Sequence, residues 1–162
     1  MPLKKTTKKK ASTRTKKKAV KKTARSVSVS TRTRSVQVRQ TVVDDFVIIP
    51  KTNDDISLTV IIGDIDQTGS SRIEVADVFP PEHRDGSFYN LSIGKCKQLD
   101  GQTLLLITSV TDTNNNTNNN RTEATIKLHC AENVIYVRKM QSDVASEGDT
   151  ETYIFNIKLY AF

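Results

Sequence analysis

Residues 124–130 read ATIKLHC, and in that stretch Ala124, Ile126, Leu128 and Cys130 alternate with Thr125, Lys127 and His129. Successive side chains of an extended strand point to opposite faces, so a period of two with one apolar phase marks a half-buried β-strand. The same alternation recurs on both sides of it. Ile56, Leu58, Val60 and Ile62 fall on one face, as do Tyr89, Leu91 and Ile93. Leu104, Leu106 and Val110 share a face, while Leu105 and Ile107 make the other face of that strand apolar as well, which predicts a central position. Val134 and Tyr136 oppose Ile135 and Val137, and the last run turns Tyr153, Phe155, Ile157 and Leu159 inward.

Turn chemistry punctuates these runs. Asp85-Gly86, Asp100-Gly101 and Glu147-Gly148-Asp149 carry hairpin-type signals, Pro80-Pro81 closes a run, and Asn114 to Asn120 form an Asn-rich loop between two strong strands. No segment carries a sustained 3.6-residue period. From Val42 on, seven to nine short strands with turns at this spacing predict an all-β fold, an antiparallel β-sandwich over residues 41–162.

The preceding residues are of another kind. Residues 1–40 hold 10 Lys and 5 Arg and no Asp or Glu; residues 41–162 hold 10 basic and 18 acidic groups, a net of −8. The formal charge of +7 for all 162 residues therefore conceals two opposite parts. Residues 1–25 have only Leu3 and Val20 as larger apolar groups. That is too little apolar surface to offset chain entropy, and composition predicts a disordered polycationic arm over residues 1–40. Within it, SVSVSTRTRSVQVRQ (residues 26–40) alternates enough to suit an extended arm or an edge strand. The Lys clumps point all round a notional helix, which disfavours a membrane-surface helix.

Lys and Arg neutralise phosphates and release condensed counterions, so such an arm is expected to bind nucleic acid without reading its sequence. The candidate binding residues are Lys4, Lys5, Lys8, Lys9, Lys10, Arg14, Lys16, Lys17, Lys18, Lys21, Lys22, Arg25, Arg32, Arg34 and Arg39. No aromatic residue precedes Phe46, so base stacking is absent from the arm. A solubilising tail is the plainer alternative reading of the same charges.

Residues 3–25, with Lys interspersed among Ala, Thr and Ser, resemble the lysine-rich tails of linker histones and bacterial histone-like proteins. That resemblance is compositional and implies sequence-independent binding of DNA or RNA. The winged-helix part of a linker histone has no counterpart, since residues 42–162 read as β. Small viral capsid proteins also join a basic arm to a β-sandwich, and this second resemblance implies an assembly protein whose arm packages nucleic acid or docks on an acidic protein surface.

Other chemistry finds little footing. GDIDQTG (residues 63–69) is similar to half of a calcium loop, but Val75 stands where the closing Glu would be, and a plain turn is expected. His129 and Cys130 point to opposite faces of one strand, so no metal site is expected, and no cofactor. His83 sits in the PPEHRDG loop, and no Gly-rich phosphate loop or nucleophile elbow occurs, so the chain is expected to be non-enzymatic. Cys130 is expected in the core and Cys96, between Lys95 and Lys97, to be the more accessible. Two cysteines make no disulfide framework and fit a reducing, cytoplasmic setting. No apolar run approaches a membrane span and no apolar stretch follows the first lysines, so neither a membrane segment nor a signal peptide is expected. The N-x-[ST] matches at Asn90, Asn115 and Asn120 then count as chance. The β domain is expected to meet a protein partner or a second copy of itself.

Overall fold

The structure, a computed structural model, describes residues 38–63, 66–113 and 120–162. Among these, nine strands follow one another: β1 (Val38–Ile49), β2 (Asp55–Ile62), β3 (Gln67–Val75), β4 (Phe79–Asp85), β5 (Phe88–Lys95), β6 (Thr103–Asp112), β7 (Arg121–Cys130), β8 (Asn133–Asp143) and β9 (Thr150–Ala161). One short helical turn, α1 (Cys96–Leu99), interrupts them. The strands form a five-stranded sheet in the order β1-β9-β6-β3-β4 and a four-stranded sheet in the order β5-β2-β7-β8. The all-β sandwich that the alternation predicts is the fold observed. The basic arm up to residue 37 and the Asn-rich loop at 114–119 lie outside the described residues.

The alternation explains the core directly. Ile56, Leu58, Val60 and Ile62 of β2 stand opposite Cys130, Leu128, Ile126 and Ala124 of β7, so the apolar phases of both strands share one face. Leu104 and Leu106 of β6 stand opposite Ile157 and Phe155 of β9 in the other sheet. Phe155, Ile157, Leu159, Leu104, Leu106, Leu58, Ile126 and Leu128 are all fully buried. A buried apolar side chain of this size contributes about 1.5–3 kcal/mol relative to exposure, which makes this interleaved layer the main stabilising element. β6 lies third of five, as its two-faced apolar pattern predicts.

Five expectations change. β1 pairs with β9 in parallel over all twelve of its residues, the one departure from antiparallel pairing among the described strands. No hairpin connects these strands, so no turn dictates their relative direction. β1 also begins at Val38, so Val38, Arg39 and Gln40 belong to the sheet and not to the arm.

Asp85-Gly86, Asp100-Gly101 and Glu147-Gly148-Asp149 do not close hairpins. Each lies on a connection from one sheet to the other. Gly86, at φ +68°, supplies the left-handed residue such a corner needs. The hairpins are β3–β4, turning at Asp77 (φ +60°), and β7–β8, turning at Ala131 (φ +51°).

Tyr89 is exposed, although its spacing put it on the face of Leu91 and Ile93. Asn90 takes a left-handed conformation (φ +52°) and donates its N–H to Thr59 Oγ1 (3.1 Å), and the pairing with β2 slips there. That bulge turns Phe88 inward in place of Tyr89. Pro80 and Pro81 lie inside β4 instead of ending a run, and they are tolerated because β4 is an edge strand.

Candidate nucleic-acid interface

Of the fifteen candidate binding residues, Arg39 lies among the described residues; Lys4 to Arg34 lie outside them. Arg39 is the second residue of β1, is exposed, and donates from Nη1 to the Asp143 carbonyl at the end of β8 (3.2 Å). It is therefore a strand residue tied to the neighbouring sheet.

Among the described residues, four of the ten cations of residues 41–162 pair with carboxylates. Arg72 meets Glu74 at 3.1 Å within β3 and Arg84 pairs with Glu82 within β4, all four side chains partly exposed. Lys139 and Arg121 both converge on Glu123, at 2.8 and 3.6 Å, and Gln141 donates to the same carboxylate at 2.7 Å. Partial burial works against the Glu123 charge, but the hydrogen bonds from Lys139 and Gln141 and the charges of Lys139 and Arg121 hold its carboxyl below the ordinary value of 4.5. Lys158 lies over the Tyr160 ring, 5.9 Å from its centre.

The residues weighed for other chemistry are dispersed. His83 is exposed on β4 and His129 half-buried on β7, in different sheets. A recess of about 300 Å³ is lined by one hairpin, Glu74 to Pro81, whose ionisable members are Glu74, already facing Arg72, and Asp77. Among the described residues, no group of three or more His, Cys, Asp or Glu is placed to hold a metal ion. No helix among them is long and apolar enough to cross a membrane.

Two features escaped the sequence. Cys96 is fully buried, and its Sγ lies 3.3 Å from Cys130 Sγ, against the expectation of an accessible thiol beside two lysines. The short turn α1 folds the Cys96 side chain back under the sheet while Lys95 and Lys97 stay exposed. The second feature is a row of exposed apolar side chains, Val38, Val42, Phe46 and Ile48, along the outer face of β1. The stretch VVDDFVII is apolar in both phases, and only packing shows that Val43, Val47 and Ile49 are the buried phase and Val42, Phe46 and Ile48 the exposed one.

The chain matches no protein-family model, no curated protein and no solved structure.

Proposed function

We propose that this protein is a non-enzymatic binder of nucleic acid that works through its N-terminal basic segment and without sequence preference, while the sandwich serves protein interaction or self-association. The observation that carries this reading is the segregation of charge. Residues 1–40 hold fifteen cations and no acid, against a net of −8 for residues 41–162. Phosphates are attracted to the first part and repelled by the second. The pairing of Arg72, Arg84, Arg121 and Lys139 with carboxylates supports the same division, because those cations are already engaged. A reducing compartment such as the cytoplasm suits a chain whose two cysteines are free.

The test compares the full-length chain with residues 38–162 in binding duplexes of unrelated sequence. Similar affinity for each duplex by the full chain, and none by the fragment at moderate salt, is the expected outcome. Strong, sequence-dependent binding by the fragment would move the function into the sandwich.

A second reading, an assembly protein whose basic segment packages nucleic acid, is favoured by the uninterrupted edge that β1 offers to another chain. Its test is whether purified protein forms large particles that carry nucleic acid.

A further inference from the structure

The four sheet edges are unlike one another. β4 carries Pro80 and Pro81, which lack the N–H a neighbouring strand needs. β5 is broken by the bulge at Asn90. β8 slips in register opposite Leu128 and His129 and exposes Arg138 and Lys139. β1 has no Pro, Gly or Lys, and its register runs unbroken from Val38 to Ile49. It is the edge best able to accept another strand.

The backbone and side-chain phases of β1 can be read residue by residue. The Ile49 carbonyl accepts from the Phe162 N–H beside β9 (3.0 Å), so odd-numbered residues of β1 turn their backbone groups toward β9. Even-numbered residues turn theirs to the free edge, where the Phe46 N–H is met by Asp45 Oδ1 (2.9 Å). The even phase also carries the exposed apolar row, with Val38, Val42 and Phe46 exposed by 65%, 57% and 64%. The odd phase carries two opposite charges six residues apart, Arg39, which donates to the Asp143 carbonyl (3.2 Å), and Asp45, whose Oδ2 accepts from Tyr136 Oη (3.0 Å).

We infer that β1 pairs antiparallel with β1 of a second copy of this chain, about a two-fold axis at Val42. In that register residues whose numbers sum to 84 stand opposite each other. Arg39 meets Asp45 of the second copy, and Asp45 meets its Arg39, so an ion pair adds to the hydrogen bonds that each already makes with a neutral partner. Gln40 faces Asp44, an amide donor against a carboxylate. Val38 faces Phe46 and Val42 faces itself, so these three members of the exposed apolar row close on their counterparts. Directly opposed even residues exchange backbone hydrogen bonds, because their N–H and C=O groups point to the free edge; at Phe46 the N–H gives up its bond to Asp45 Oδ1 to do so.

Neighbouring registers lose this match. With the axis at Val43, Arg39 faces Val47 and Asp45 faces Thr41. With the axis at Asp44, two carboxylates stand directly opposite, which is destabilising. Inward-pointing charges ordinarily keep strands away from an edge. Here they exclude foreign strands and the wrong registers while satisfying each other in one register, so the same residues supply attraction and selectivity. The partner is a second copy because the complementarity is to β1's own sequence, as a two-fold interface requires.

This inference deepens the self-association half of the proposed function and is independent of its nucleic-acid half. A dimer carries two basic segments, so avidity for one polyanion rises without any new contact. A monomer that binds duplexes would overturn the dimer alone, and a dimer that does not would overturn the nucleic-acid reading alone.

The experiment is sedimentation of the full-length chain after nuclease treatment and a high-salt wash, so that nucleic acid cannot bridge copies. Twice the chain mass is expected. Arg39→Asp alone and Asp45→Arg alone should each weaken dimerisation by about tenfold or more, and the double swap should restore it. If Asp45→Arg fails to fold, Val42→Lys, at an exposed position, is expected to give the monomer instead. Under oxidation Val42→Cys should yield a covalent dimer, because the residue faces itself, whereas Val38→Cys should not. A monomer at every concentration, or a dimer indifferent to both charge reversals and to Val42→Lys, would overturn the inference.

Discussion

The sulfur atoms of Cys96 and Cys130 lie 3.3 Å apart in the buried layer, although 34 residues separate them in the chain. β2 brings them together. Its residue Ile56 stands opposite Gly94 on one side and Cys130 on the other, and α1 follows Gly94 by two residues. Burial is the main cause that pushes the Cys130 thiol up to about 11, and the hydrogen bond with Cys96 adds to it.

Added diamide should therefore take two electrons and two protons from this pair and leave an intramolecular disulfide. The thiolate is the reacting form and burial keeps Cys130 protonated at neutral pH, so attack through Cys130 should be slow there and quicken as the pH rises toward about 11. A bridge spanning 34 residues restricts the unfolded chain enough to stabilise by about 3–4 kcal/mol, less any native strain. A rise in melting temperature on oxidation, reversed by reductant and absent in Cys96→Ala, is the measurement. Rapid labelling of Cys96 in the native protein would contradict the burial.

Glu123 couples stability to pH. Its folded carboxyl titrates below the ordinary value of 4.5, so its stabilising share is complete above that value and is lost as the pH falls through the lower folded one. Urea midpoints measured from pH 7 downward should fall more steeply for the native sequence than for Glu123→Gln. Equal slopes would mean that Lys139 and Arg121 do not hold this charge in solution.

Phe155 is fully buried between the sheets, so Phe155→Ala should cost about 3–5 kcal/mol through lost burial and the cavity left behind. Equilibrium urea unfolding would show it. Phe46→Ser, at a position 64% exposed, should leave the monomer's unfolding nearly unchanged and act on association instead.

Trypsin should distinguish Arg34 from Arg39. Cleavage throughout the Lys/Arg-rich segment is expected, with a stable product beginning upstream of Val38, because Arg39 sits in a strand paired along its length with β9. A product beginning at Gln40 would show that the first residues of β1 fray.

If about eight cations of the basic segment meet phosphates at once, the log–log salt slope of duplex binding should be near −7, at roughly −0.9 per phosphate. Replacing Lys8, Lys9, Lys10, Lys16, Lys17 and Lys18 with Gln should flatten that slope and weaken binding evenly across sequences, since each lysine supplies charge and no base readout. Gel-shift titrations over a salt series measure both quantities. An unchanged slope would mean that these lysines do not meet phosphates.

Where β2, β6, β7 and β9 lie, and which face of each is buried, was legible because alternation is a local steric property of extended chain. β2, β7 and β9 present the inward residues that their patterns predict. The reading failed at Tyr89, where one left-handed residue, Asn90, reverses the phase, and nothing in FYNLSI announces a bulge. Of the candidate site, the sequence carries the charge segregation in full. It carries neither the thiol pair nor the exposed row on β1, since burial and exposure depend on what packs opposite.

Local chemistry by itself determined the breaks at Asp85-Gly86, Asp100-Gly101 and Glu147-Gly148-Asp149, the apolar faces of β2, β7 and β9, and the separation of a basic segment from an acidic domain. Only the tertiary structure decided which sheet each strand joins. An Asp-Gly or Glu-Gly-Asp turn sets backbone angles at one or two residues, but packing of the two apolar layers selects whether the chain then returns beside its neighbour or crosses to the opposite sheet. Asp85-Gly86, Asp100-Gly101 and Glu147-Gly148-Asp149 all lie on crossings, whereas Asp77 and Ala131 mark the hairpins. For the same reason the direction of β1 beside β9 was not written in either strand. The two are joined through the whole sandwich, and their register follows from the layer of Val43, Val47 and Ile49 that closes over the core.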